Sequence, residues 1–210
     1  MLAPMRTVLV HGLAGSSRWW RELEPRLAEL GVDAVDLPRL PPAELEEWLA
    51  ARLEPRASLV AHSLGGLLAA RIAARRPELV DRLVLIAPVG IPLRGVLAHA
   101  VPLGLTLLQV RPRFAAVVAR DALRAGPTRL LAGAWSAVRD DVRSDLSAVR
   151  APTLLVWGEH DRLVPARNAR AWASALPDAR VELVPRAGHV PMVERPEELS
   201  RLLREFLAAR

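Results

Sequence analysis

Ala61-His62-Ser63-Leu64-Gly65-Gly66 is the stretch that decides how this chain folds. It follows a short apolar run, Ser58-Leu59-Val60, and leads into an alanine- and leucine-rich segment of helical character. A serine among very small residues, at the junction of a buried strand and a helix, marks a very tight turn. The positions two before and two after such a serine can carry almost no side chain. The turn holds the serine in a strained conformation and presents its Oγ as a candidate nucleophile. Ala61 is one methyl group larger than the glycine of the common pattern. On the hexamer alone a second reading stays open, because serine is a favoured N-cap and Ser63 could simply cap a helix beginning at Leu64.

Away from this junction the chain alternates short β-branched or leucine-rich runs with longer amphipathic ones. Strands are expected near Thr7–Val10, Asp33–Val35, Ser58–Ala61, Leu83–Ile86, Thr153–Trp157 and Val181–Val184. Helices are expected near Arg18–Leu30, Ala43–Leu53, Leu64–Arg75, Ala166–Ala175 and Pro196–Leu207. In the last of these Pro196 suits a first helical position, and Glu197 and Glu198 suit the positive end of the dipole. Such alternation implies a mainly parallel, doubly wound α/β sheet covered on both faces, with functional groups at the carboxyl ends of strands.

Three further motifs stand at those ends. Thr7-Val8-Leu9-Val10 runs into His11-Gly12-Leu13-Ala14-Gly15. Thr153–Trp157 ends in Gly158-Glu159-His160-Asp161-Arg162-Leu163-Val164-Pro165, and Val181–Val184 is followed by Ala187-Gly188-His189-Val190-Pro191. From Thr7 to about Phe206 the chain resembles the α/β-hydrolase superfamily, most closely its esterase-like members of the HG…HSLGG…GxxDxxVP…GH type. Family members often begin with an antiparallel hairpin. This chain starts directly at the His-Gly strand, so a minimal sheet of about six strands is expected.

The resemblance implies a Ser63, Asp161, His189 triad in the family's chain order, with Ser63 as nucleophile, His189 as base and Asp161 orienting the base. The alternative acid position after the strand ending at Ile86 reads Ala87-Pro88-Val89-Gly90 and holds no carboxylate, which favours Asp161. The backbone N–H groups of Leu13 and Leu64 are the implied oxyanion donors, and His11 is expected to brace the loop that carries Leu13. Trp19, Val164 and Val190 are candidates for the substrate pocket. No cluster has metal-ligand spacing and no phosphate-binding glycine loop occurs, so no metal or other cofactor is expected.

Residues 88–149 interrupt the alternation without a strand. They are expected to form a helical cap on a core made of 1–87 and 150–210. Gly95–Val110 carries no fixed charge, but Pro102 and Gly104 speak against a spanning helix and leave only shallow membrane contact. At 210 residues the chain can bury one sizeable core. It has no cysteine, which excludes disulfides but leaves the redox compartment open. Its first residues contain no apolar export segment, so a cytoplasmic location is expected, and a monomer or homodimer is the expected state. Net charge is +6 and all 29 basic residues are arginine, yet they are scattered and the aromatics do not interleave with them, which argues against nucleic-acid binding. Arginine without lysine, a single Asn168, a single Gln109 and 18 prolines fit either GC-rich coding or heat tolerance. The second reading expects melting well above about 50 °C.

Ser63 in place of aspartate points away from the dehalogenases and epoxide hydrolases of this fold. The expected substrate is an uncharged carboxylic ester with a short to medium apolar acyl chain. C–C bond hydrolysis or acyl transfer on the same triad, and a slow or single-turnover ligand receptor, are the alternatives.

Overall fold

The computed structural model describes residues 6–92 and 112–209. Six strands, β1 (Thr7–Val10), β2 (Val32–Val35), β3 (Ala57–His62), β4 (Val80–Ile86), β5 (Thr153–Gly158) and β6 (Ala179–Val184), form one sheet in the order β2-β1-β3-β4-β5-β6. Among the described residues every pairing is parallel. All six expected strands are present, with β4 and β6 starting earlier than the sequence suggested. The central strands are buried along their whole length because both faces are covered. Val8, Leu59, Leu83 and Leu155 point into one core, which is closed by α1 (Pro42–Ala51) and α2 (Leu64–Arg75). Leu9, Val60, Val84 and Val156 alternate onto the other.

Register brings the functional loops together. Val10 lies beside Ala61, His62 beside Ile86, Ile86 beside Val156, and Gly158 beside Val184. The carboxyl ends of β1, β3, β5 and β6 therefore share one edge of the sheet, and all four motifs leave from it.

One expected helix is different in kind. Arg18–Leu30 is not an α-helix but two 3-10 segments, Ser17–Trp20 and Glu24–Leu30, linked by i to i+3 bonds such as Arg21 N–H to the Arg18 carbonyl. Pro25 explains the break, since in a continuous α-helix it would lack its N–H bond and clash with the preceding turn. Gly31, in a left-handed conformation, then ends the segment and opens β2.

Between β4 and β5 come α3 (Pro112–Ala125), α4 (Pro127–Arg139) and a single turn, α5 (Arg143–Leu146). Helices α3 and α4 pack on each other across Gly126, whose φ of +78° reverses the chain. The apolar run Gly95–Val110 lies outside the described residues. After β5, α6 (Asn168–Ala175) covers the first core. After β6, α7 (Pro191–Glu194) and α8 (Pro196–Ala208) cover the second. Among the described residues no helix is long and apolar enough to cross a membrane.

Candidate active site

Ser63 stands at the tip of the turn between β3 and α2 with φ +53° and ψ −115°, a region that costs a non-glycine residue roughly 1–3 kcal/mol. Backbone bonds from both sides hold it there. Its N–H donates to the Ile86 carbonyl at 2.9 Å, and its carbonyl accepts from Gly66 and Val89. The small neighbours are required sterically: a Cβ on Gly65 would lie 2.5 Å from the His11 carbonyl oxygen. Ala61 is fully buried between β1 and β4, so its extra methyl group is accommodated in the sheet.

His189 and Asp161 reach this serine from the loops after β6 and β5. His189 Nε2 is 3.2 Å from Ser63 Oγ, and His189 Nδ1 is 2.8 Å from Asp161 Oδ2. The other carboxylate oxygen of Asp161 accepts from the N–H groups of Leu163 at 2.9 Å and Val164 at 2.8 Å. Asp161 is thus both a loop-capping residue and the partner of His189. A carboxylate can only accept, so Nδ1 carries the imidazole proton and Nε2 is left as an acceptor facing the serine hydroxyl. All three side chains are buried. Glu159, the neighbouring acid, is exposed and accepts from the Arg186 N–H instead.

Three residues that the sequence reading did not assign to the site hold His189 in place. The His62 ring lies 4.8 Å from the His189 ring, and its Nε2–H donates to the His189 carbonyl at 2.8 Å. Burial, and then the neighbouring His189, hold the His62 pKa well below the ordinary histidine value. His62 is therefore a neutral brace, not a second base. The Glu194 carboxylate accepts from the N–H groups on both sides of His189, those of Gly188 and Val190. Its sequence signal is a first-turn glutamate four residues after Val190, placed to reach back to the chain entering α7. Gly158 closes β5 against the same loop. A Cβ there would sit 1.9 Å from the Gly188 carbonyl oxygen and 2.6 Å from that of Ala187.

These obstacles are backbone atoms, so Gly158→Ala must displace the segment that carries His189. Overpacking of this kind costs about 3 kcal/mol, and a fall in Tm of roughly 6–12 °C is expected together with a loss of turnover. Thermal denaturation of the variant followed by circular dichroism checks the first part, and its reaction rate with a p-nitrophenyl ester the second.

The Gly12–Leu13 loop lies against the serine, since a Cβ on Gly12 would be 3.0 Å from Ser63 Cβ. Leu64 opens α2, so its N–H has no intrahelical acceptor, and among the described residues neither Leu13 nor Leu64 donates its N–H to a backbone group. Two free donors therefore flank Ser63, one of them at the positive end of a helix dipole. His11 braces this loop with Nδ1–H donating to the Gly12 carbonyl at 2.8 Å and Nε2 accepting from the Leu37 N–H at 3.1 Å. Burial lowers its pKa, which keeps this neutral tautomer.

Next to the loop is a cavity of about 340 Å³. Its walls are Gly12, Leu13 and Leu64 on the core side and residues of α3 and α4, among them Asp121, Arg129 and Gly133, on the other. Ser63, Asp161 and His189 are not part of its wall, whereas Gly12, Leu13 and Leu64, which adjoin Ser63, are. Leu13 packs directly on Gly133, and Asp121 ties α3 to the core by accepting from Ser16 Oγ at 2.6 Å and Trp19 Nε1 at 3.3 Å. Trp19, Val164 and Val190 lie in the core and not on this wall. Trp19 packs between His62 and Phe114, and the Val164 carbonyl accepts from Trp157 Nε1. Among the described residues no group of three or more acidic or histidine side chains could hold a metal ion.

Comparison with known proteins agrees with this architecture. A profile of the alpha/beta hydrolase family matches residues 7–202. The chain is 30% identical over 235 residues to the dihydrolipoyllysine-residue acetyltransferase component of the acetoin cleaving system of Pseudomonas putida, covering 95% of this chain and 62% of that protein. It is 30% identical over 242 residues to the pimeloyl-acyl-carrier-protein methyl ester esterase of Neisseria meningitidis, covering 98% of this chain and 94% of the relative. Among solved structures, a membrane phospholipase A described as a bacterial virulence factor superimposes with a TM-score of 0.78 at 26% identity, over 98% of this chain and 79% of that one. With its six-stranded parallel sheet and a family match across nearly its whole length, the chain belongs to the alpha/beta hydrolase family.

Proposed function

We propose that the chain is a serine esterase that cleaves carboxylic esters with short to medium acyl chains through Ser63, His189 and Asp161. The observation that carries this is the continuous hydrogen-bonded line from Ser63 Oγ to His189 at 3.2 Å and on to Asp161 at 2.8 Å. In this reading Oγ attacks the ester carbonyl carbon while His189 Nε2 takes the hydroxyl proton. The carbonyl oxygen, now negative, is received by the N–H groups of Leu13 and Leu64. The carbon–oxygen bond to the alcohol breaks, the alcohol leaves with the proton held by His189, and an acyl-serine remains. Water then gives a proton to His189, attacks the acyl carbon and releases the carboxylic acid, and the proton returns to Ser63.

Residues 88–149 serve as a cap on a core of 1–87 and 150–210, a division supported by the position of α3 and α4 on the cavity wall. A cavity of about 340 Å³ lies at the small end of the range for ligand sites and favours the shorter chains. The methyl ester esterase among the relatives supports ester cleavage. Steady-state hydrolysis of p-nitrophenyl esters from acetyl to decanoyl tests the proposal. A rate maximum between butanoyl and octanoyl is expected, with a clear fall by decanoyl. Absence of turnover across the whole series would overturn it in favour of C–C hydrolysis, acyl transfer or ligand sensing.

A further inference from the structure

The wall of the cavity carries more positive charge than its packing accounts for. Five arginines face it: Arg18, Arg39, Arg71, Arg124 and Arg129. Arg71 is neutralised, at 3.4 Å from Glu46 and 2.8 Å from Asp140. The two aspartates of the wall accept from neutral donors, Asp121 from Ser16 and Trp19 and Asp36 from the Ser17 N–H, so two negative charges stand against the five arginines. Among the described residues the other four arginines have no acidic partner. Arg39 is held at the rim by donating to the Arg124 carbonyl at the carboxyl end of α3, where a cation is favoured by the helix dipole. That single bond leaves most of its guanidinium donors free.

Arg129 is the most exacting of the four. It rises from the first turn of α4, is partly buried in the wall, and makes no hydrogen bond or ion pair among the described residues. Burial, and then the nearby Arg39 guanidinium, lower its pKa. A guanidinium remains charged at neutral pH even so, and a carboxylate that enters between Arg39 and Arg129 is attracted by both. The planar fork of a guanidinium matches a carboxylate, which can accept two parallel N–H bonds.

We propose that Arg129, with Arg39 at the rim, forms a carboxylate subsite for the far end of the acyl chain, so that the favoured substrate is a half-ester of a short dicarboxylic acid. The ester end lies at Ser63 between the Leu13 and Leu64 N–H groups, and the free carboxylate lies at the arginine wall of the adjoining cavity, which Leu13 and Leu64 also line. This rests on the esterase reading above and replaces the uncharged ester expected from the sequence, where arginines scattered at positions 39 and 129 gave no sign that they meet. Hydrolysis itself is unchanged: water adds across the ester bond, and a dicarboxylic acid and an alcohol are released.

The test compares mono-p-nitrophenyl adipate with p-nitrophenyl hexanoate, which have equal acyl length and differ in the terminal charge. In the intact protein kcat/KM is expected to favour the charged ester by about tenfold, the scale of one hydrogen-bonded charge contact. In Arg129→Met that preference ratio should fall by about tenfold, and Arg129→Lys should retain part of it, since a cation remains without the fork. An unchanged ratio in Arg129→Met, or a preference of the intact protein for hexanoate, overturns the subsite. Binding separates this failure from failure of the esterase reading. Calorimetric titration of Ser63→Ala with monomethyl adipate, set against dimethyl adipate, should show affinity for the half-ester alone that is lost in the Ser63→Ala, Arg129→Met double variant. If neither p-nitrophenyl ester is turned over but this binding is seen, the subsite stands and ester hydrolysis falls. If the binding is absent, the subsite falls.

Discussion

Ser63→Ala is expected to lower kcat on p-nitrophenyl esters by on the order of a millionfold, with the fold intact. Among the described residues the only side-chain bond of Ser63 Oγ is the one to His189, so its removal leaves a single buried imidazole nitrogen without a donor. The backbone at position 63 is unaffected, because alanine meets the same strain at φ +53° as serine and the bonds that hold this turn are all main-chain. A cost to stability below about 1.5 kcal/mol is therefore expected, and the loss of rate cannot be ascribed to unfolding. Thermal denaturation and steady-state kinetics on the same preparation check both parts. A variant that retains a rate within about a hundredfold of the parent would remove Ser63 from the chemistry.

Asp161→Asn should lower kcat by on the order of 10⁴-fold through a more indirect route. Oδ1 of Asp161 accepts two backbone N–H bonds, from Leu163 and Val164, so an asparagine placed here must keep its carbonyl oxygen on that side. Its NH₂ then faces His189 Nδ1, which must become an acceptor. The proton moves to Nε2, the nitrogen opposite Ser63, and His189 can no longer take the serine proton. The His62 and Glu194 contacts to the His189 backbone stay in place, so the ring remains in position with the wrong tautomer. An Asp161→Asn variant with near-parental kcat would show that Asp161 is only a loop cap.

Most of the frame was legible in the sequence because it follows from short-range chemistry. The strands are runs of β-branched and leucine residues bounded by turns, and the helix Leu64–Arg75 was placed with its observed bounds. The one helix read wrongly, Arg18–Leu30, contained its own warning in Pro25, which the apolar periodicity of Trp19, Trp20, Leu23 and Leu27 outweighed. Ser63, Asp161 and His189 were legible as motif positions, and the structure brings their side chains into one hydrogen-bonded line.

What the sequence did not reveal is how that line is supported. Gly158 was read only as the first letter of the motif that carries Asp161, whereas its missing Cβ lets the His189 loop approach β5. Glu194 stands among several acids near the carboxyl terminus, and its first-turn position is the one local sign that it can reach back to the N–H groups beside His189. Trp19, Val164 and Val190 were proposed for the pocket because they adjoin motif residues, but adjacency along the chain does not fix which way a side chain turns, and all three pack into the core. The arginine wall assembles from five separate loops and helices, so it is a property of the fold that no window of sequence contains.

The most direct test of the account is the site of covalent modification by a fluorophosphonate, mapped by peptide mass spectrometry. The reagent loses fluoride and forms a phosphonyl ester with an activated serine oxygen, so it reports nucleophilicity without requiring knowledge of the substrate. One adduct is expected, on Ser63, formed much more slowly in Asp161→Asn and absent in Ser63→Ala. Labelling of another residue, or labelling of Ser63 at the same rate in Asp161→Asn, would contradict it.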